Sequence, residues 1–132
     1  MVDYELVKNH PRYWEFIRRL RNMDGVRQGF VKQDEITEIE QDAYMLEYNN
    51  NFWVCLVDGI PAGYVGVIEN DIRVATHPEF QGHGIATFMI KQIMIIRPQA
   101  IAKVKIENEP SLRLFEKCGF KKKYYLLERD EA

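Results

Sequence analysis

Between Ile72 and Ile96 a β-prone run, Ile72-Arg73-Val74-Ala75-Thr76, gives way through His77-Pro78-Glu79-Phe80-Gln81-Gly82-His83-Gly84 to Ile85–Ile96, a segment apolar on nearly every face. Few folds accommodate a strand that stops at a proline, passes two glycines and enters an apolar helix at once. So apolar a helix is expected to lie buried, against a sheet. The glycines let backbone N–H groups converge on one point without side-chain obstruction. The helix start adds unpaired donors and the positive end of its dipole. Such a socket suits phosphate oxygens. A turn that merely joins strand to helix would have the same composition, because a Gly-x-Gly pair alone is weak evidence. Two rival phosphate motifs do not fit: no Lys-Ser or Lys-Thr follows the glycines, and no Gly-x-Gly-x-x-Gly precedes a first parallel strand.

Elsewhere, Tyr4, Leu6 and Val7 suggest a first strand, and Pro11 opens a segment with Tyr13, Phe16, Ile17 and Leu20 at helical spacing. Asp34 reads as the cap of a second helix, with Glu35 and Glu38 in its first turn and a stripe of Ile36, Ile39, Ala43 and Leu46. Asn22–Gln33, holding Gly25 and Gly29, reads as a loop. Phe52–Val57, the turn pair Asp58-Gly59, Ala62–Ile68, the turn Glu69-Asn70-Asp71 and Ile72–Thr76 make an antiparallel meander. Ile101–Ile106 alternates enough for a further strand, Pro110 and Gly119 frame a short helix, and Phe120 with Tyr124–Leu127 supplies a last strand. The expected order is β-αα-βββ-α-β-α-β, a mixed α/β (α+β) layer structure in one domain, 1–132.

At 132 residues the chain can bury a core without disulfides or a structural metal. Cys55 and Cys118 fall inside structured segments and do not form a disulfide framework. Met1–Lys8 is acidic and lacks the apolar run of a secretion signal, and no apolar run reaches membrane length. A cytoplasmic location is expected. With a net charge of −2 and Lys121-Lys122-Lys123 as the only basic run, neither nucleic acid nor a membrane is expected as a partner.

Gln81 to Ala86 matches the Q/R-x-x-G-x-G/A signature of the GNAT superfamily of acyl-CoA-dependent N-acyltransferases. A second stretch, Asn108-Glu109-Pro110-Ser111-Leu112-Arg113-Leu114-Phe115-Glu116-Lys117-Cys118-Gly119-Phe120, resembles that family's N-x-x-S-x-x-x-Y-x-x-x-G-F element. Motif spacing and element order agree, so the resemblance covers essentially the whole chain. It implies a GNAT-like mixed central sheet with a splayed pair of strands and acetyl-CoA as acyl donor, with no metal. Pantetheine would pair with the backbone of Val74, Ala75 and Thr76, chiefly Val74 and Thr76. The pyrophosphate would sit on the amides of Gln81, Gly82, His83, Gly84, Ile85 and Ala86. Asn108 resembles the side chain that hydrogen-bonds pantetheine, with Ser111 near it, although Asn108 also reads as a helix cap. Relatives often place a base where Glu69 and Asp71 fall, and acidic residues are equally common in exposed turns. His77 has a suitable resting pKa, but a loop histidine beside proline is more often solvated.

Two departures from the family pattern stand out. Phe115 occupies the position of a tyrosine whose hydroxyl protonates the leaving thiolate, and Tyr64, Tyr124, Tyr125 and Cys118 are the candidates to replace it. Twelve residues follow Phe120 where the family often has two strands, which implies an acceptor site open at one edge or completed by a partner subunit in a homodimer. The expected reaction is acetyl transfer to a primary amine of a small molecule. Leu20-Arg21-Asn22, Val26-Arg27 and Ala62-Gly63-Tyr64-Val65-Gly66 are similar to the N-acetyltransferases of nucleotide-linked amino sugars. That likeness implies an amino sugar as acceptor, with Arg21 and Arg27 on its phosphates. The alternatives are acetylation of a protein N-terminus or lysine, and a non-catalytic acyl-CoA-binding domain.

Overall fold

The computed structural model describes residues 2–130. Its four strands, β1 (Tyr4–Lys8), β2 (Phe52–Val57), β3 (Ile60–Ile68) and β4 (Asp71–Thr76), form one antiparallel sheet in sequence order. Helices α1 (Pro11–Asn22) and α2 (Glu38–Tyr48) cover one face, and α3 (Ile85–Ile96) with α4 (Glu109–Lys117) lies on the other. The mixed α+β architecture is the one read from the sequence.

The meander follows from turn chemistry. Asp58 and Gly59 both take positive φ (49° and 82°), as do Glu69 and Asn70 (50° and 66°). Two such residues in a row give a twist that matches the flanking strands. Side-chain alternation then sorts the sheet into two cores. Trp53, Val65, Val67 and Ile72 meet Met89, Ile90 and Ile93 of α3. Phe52, Val54, Tyr64 and Ala75 meet Ile17, Leu20 and Met45 of α1 and α2. Burying a side chain such as Met89 or Leu20 contributes about 1.5–3 kcal/mol. Ala62 lies in the register shift between Cys55 and Leu56, where its neighbours Pro61 and Gly63 pair with those two residues.

Helix α2 departs from the expectation in both start and face. Its cap is Thr37, not Asp34: Thr37 Oγ1 accepts from the Glu40 amide, and Glu40 accepts from the Thr37 amide. Ile36 is held outside the helix, because its amide donates to Asn22 and its carbonyl accepts from Asn22 and Arg18. Ile39 and Leu46 are 82% and 80% exposed, while Gln41 and Met45 face the core. A buried glutamine is tolerated because its amide donates to the Trp14 carbonyl. On α3, Ile85, Met89, Ile90 and Ile93 are buried as expected, but Ile95 at its end is exposed.

The two late strands are absent among the described residues. Ile101 makes a single parallel bridge to β4, its amide donating to the Asn70 carbonyl and its carbonyl accepting from the Ile72 amide. The chain then leaves the sheet, and Ile106 is exposed. The segment after Phe120 pairs with nothing, so Tyr124, Tyr125 and Leu127 are exposed. Strand propensity needs an edge to act on. Once residues 102–106 turn away from β4, no edge is left for the last segment. The expected splay is therefore one bridge followed by divergence, and the observed order is β-αα-βββ-α-α. Among the described residues, no helix is long and apolar enough to cross a membrane.

Candidate functional site

The divergence after Ile101 creates the site. Along a strand, successive residues aim their N–H and C=O groups to opposite sides. Because the Ile72 amide points to Ile101, the backbone groups of Val74 and Thr76 point the same way, past the end of the bridge. The His77 amide, of opposite parity, donates to the Ala62 carbonyl on β3. Beside this free edge lies a cavity of about 150 Å³ lined by Val74, Ala75, Thr76, Gln81, Asn108 and Ser111. These six were all expected at one site from two separate motifs, and the fold brings them together. Gln81 Nε2 donates to the Thr76 carbonyl at 3.4 Å, and the buried Thr76 hydroxyl has no partner.

The opposite wall, made by Gly25, Val26, Gly29 and Phe30 of the α1–α2 link, was not recognised in the sequence. Gly29 sits against Asn108, whose Nδ2 would be 3.5 Å from a Cβ there. Two glycines in one loop were the available signal. Asn108 serves as cap and cavity wall at once: its Oδ1 accepts from the Ser111 amide at 3.3 Å.

From Gln81 in the cavity wall the chain runs directly into the glycine loop. Gly82 and Gly84 have φ of +84° and +75°, a conformation that L side chains rarely adopt. The amides of Gly82, His83, Gly84, Ile85 and Ala86 have no acceptor among the described residues. No side chain caps α3 either, since Gly84 stands at its N-cap. The Tyr4 hydroxyl donates to the His83 carbonyl at 2.7 Å and ties the loop to β1. His77 caps the preceding turn, its Nδ1 accepting from the Glu79 amide. The loop therefore offers a run of unpaired donors at the positive end of a buried helix, an arrangement suited to phosphate. A larger cavity of about 340 Å³ along Glu15, Phe16 and Arg19 shares only His77 with this loop and gathers none of the free amides.

The two candidate bases differ in setting. Glu69 is exposed in the β3–β4 turn. Asp71 opens β4, its side chain 19% exposed, with Oδ2 3.4 Å from Arg73 Nε and Oδ1 buried without a partner. Phe115 does not line the cavity. It is buried in the core, edge-on to Phe120 at 5.2 Å. Of its candidate substitutes, Tyr64 lies under α1 and α2 with its proton held tightly by burial. Tyr124 and Tyr125 are exposed on the last segment. Cys118, half-buried, has its pKa raised by burial. Arg27 is occupied by ion pairs to Glu35 at 2.8 Å and Asp24 at 3.8 Å.

A free strand edge, an adjoining cavity and a glycine loop of unpaired amides follow one another through Gln81, and residues 48–122, which carry most of them, match the family described as acetyltransferase (GNAT) domain. This chain belongs to the GNAT acetyltransferase family. GNAT domains of this kind are acetyl-CoA-dependent N-acetyltransferases, and acetyl-CoA is the donor. No curated protein sequence matches the chain. Among solved structures, a spermidine N-acetyltransferase from Vibrio cholerae in complex with CoA and spermine superposes with a TM-score of 0.77, at 21% identity over 96% of this GNAT chain and 85% of that one. A domain from Methanocaldococcus jannaschii gives 0.81 at 17% identity, over 93% and 91%. A putative acetyltransferase from Salmonella typhimurium with its cofactor acetyl-CoA gives 0.72 at 16%, over 89% and 79%. At these identities the likeness is one of fold.

Proposed function

We propose that this GNAT domain acetylates the primary amine of a small molecule, an amino sugar being one candidate, with the coenzyme laid along β4. The observation that carries the reading is the meeting of β4's free edge, Gln81 and Asn108 at one cavity, with the unpaired amides of the glycine loop following directly after Gln81 in the chain. Pantetheine would pair with Val74 and Thr76, and the pyrophosphate would meet the amides of Gly82–Ala86. The acceptor would approach from the α1–α2 side, as a neutral amine. Its nitrogen attacks the thioester carbonyl, the C–S bond breaks, and the sulfur leaves as thiolate. With Oδ1 buried and free of partners, Asp71 is the better placed of the two carboxylates to take the amine's proton. A thiol pKa of about 8.5 makes thiolate a tolerable leaving group without a tyrosine.

The test is release of free thiol from acetyl-CoA across a panel of amino sugars, polyamines, aminoglycosides and peptide N-termini. Polyamines and aminoglycosides belong in it because structural neighbours carry those names. Turnover confined to peptides would assign a protein acetyltransferase. Binding of acetyl-CoA with no turnover of any amine would assign a non-catalytic acyl-CoA-binding domain.

That readout needs the protein's own thiols to be silent. Cys55 is buried, and burial pushes its thiol up to about 11. Because thiolate is the reactive form, a thiol reagent at pH 8 is expected to label Cys118 first and Cys55 only after unfolding. Mass mapping of the labelled native protein checks this, and early labelling of Cys55 would contradict its burial.

Phe115→Tyr is expected to leave turnover unchanged and to lower Tm. A hydroxyl added to this buried ring would lack a partner, at a cost of about 1–3 kcal/mol. A higher turnover number with chemistry rate-limiting would instead show that the new hydroxyl reaches the thiolate.

A further inference from the structure

On the α1–α2 face of the sheet, next to Asp71, positive charge is under-compensated. Arg73 projects from β4 on the face of Asp71 and Ala75, opposite Gly66. Its only ion pair is the 3.4 Å approach to Asp71, and its side chain remains 40% exposed. Arg21, in the last turn of α1, lies with its guanidinium 4.2 Å over the Phe30 ring and donates through Nη2 to the Lys32 carbonyl. Its Nη1 is buried with no acceptor among the described residues. Burial is the chief influence loosening the Arg21 proton, and the charges of Arg73 and Arg27 act in the same direction. Arg27 is satisfied by Glu35 and Asp24, whereas Arg73 has the one approach to Asp71 and Arg21 has no ion pair among the described residues.

Both residues adjoin the cavity through its walls without lining it. Phe30, under Arg21, is a wall of the cavity, and Arg73 directly precedes Val74 and Ala75, which form another. An amine held at Asp71 Oδ1 would place its substituents within reach of Arg73. A buried donor without an acceptor is expensive in an isolated protein. Guanidinium groups pair best with planar or tetrahedral oxyanions.

We propose that Arg73 and Arg21 form an oxyanion subsite of the acceptor pocket, so that the preferred acceptor is an amine bearing a carboxylate or phosphate. This rests on the N-acetyltransfer reading above. It predicts that a chain with a polyamine acetyltransferase among its structural neighbours discriminates against polycations.

The test compares matched amines: 2-aminoethyl phosphate, β-alanine, and their neutral counterparts ethanolamine and β-alaninamide. The parent is expected to favour the anionic member of a pair by roughly 10–100-fold in kcat/KM, the range of one charge-assisted hydrogen bond. The phosphate and carboxylate arms show which oxyanion is taken. Arg73→Ala should collapse that ratio towards one, chiefly through KM. Arg73→Lys should restore part of it, and Arg27→Ala should leave it unchanged. A parent without preference, or an Arg73→Ala variant with the parental ratio, overturns the subsite while leaving N-acetyl transfer intact. The same compounds are titrated calorimetrically into the CoA-saturated protein, which reads the subsite independently of turnover. Heat from the anionic amine that is lost in Arg73→Ala supports it even if no amine is acetylated. Equal or absent binding of the anionic and neutral members overturns it.

Discussion

Asp71→Asn is expected to lower turnover by about 10²–10⁴-fold at neutral pH, the usual worth of a positioned base, while acetyl-CoA affinity stays at the parental value. The substitution keeps the shape of the side chain and removes its ability to accept a proton. A lysine-like amine with a pKa of about 10.4 costs roughly 4–5 kcal/mol to deprotonate at pH 7. The deficit should therefore shrink as pH rises towards the acceptor's pKa, where the amine is already neutral. Asp71 Oδ1 is buried and unengaged, so little in the fold depends on its charge except the approach to Arg73. The measurement is a pH–rate profile with one defined amine for the parent, Asp71→Asn and Glu69→Gln. If Glu69 is the base, its variant alone shows the pH-dependent deficit. Parental profiles for both variants would remove these carboxylates from the mechanism and leave an ordered water as the base.

Gly84→Val should weaken acetyl-CoA binding by more than ten-fold while the domain still folds. At φ +75° and ψ 14° a β-branched residue is strained, at a cost of about 1–2 kcal/mol, which lowers Tm by several degrees. A Cβ at this position meets no protein atom within 4 Å. The added volume therefore enters the solvent-side space above the free amides, where a pyrophosphate would sit. Gly59→Val is the matched control, because Gly59 also has positive φ (+82°) and open space around it, and it lies in the β2–β3 turn, outside both the glycine loop and the cavity wall. Calorimetry should show a loss of affinity specific to Gly84. Parental affinity in a folded Gly84→Val protein would overturn the phosphate socket.

How far the sequence could be read depended on whether a feature was local. The hairpin turns, the glycine loop and the helix start at Pro11 follow from the conformations of a few adjacent residues and stand where expected, and α4 starts one residue before the expected Pro110. Helix α2 was misread because the apolar spacing of Ile39 and Leu46 was stronger than that of its true core face. That face contains Gln41, whose burial depends on a carbonyl 27 residues away. The two late strands failed for a related reason: Ile101–Ile106 and Tyr124–Leu127 have the composition, but pairing needs a partner edge that composition does not report. At the site, Val74, Ala75, Thr76, Gln81, Asn108 and Ser111 line one cavity, whereas Phe115 of the same α4 motif is buried in the core. The Gly25–Phe30 wall and the Arg21–Arg73 pair were missed because they arise from packing between α1, its following loop and β4.

The unpaired edge of β4 bears on how a domain of this kind drifts. On the proposed reading, Val74 and Thr76 would meet the donor through backbone groups, and the glycine loop would offer amides alone. Almost any side chain that preserves the strand and the two left-handed glycines would preserve that recognition. Substitution can thus accumulate across the donor half without erasing it, which fits superpositions at TM-scores of 0.72–0.81 with only 16–21% identity. Acceptor choice, if it rests on side chains such as Arg73 as proposed, would have no such protection and could change with a single codon.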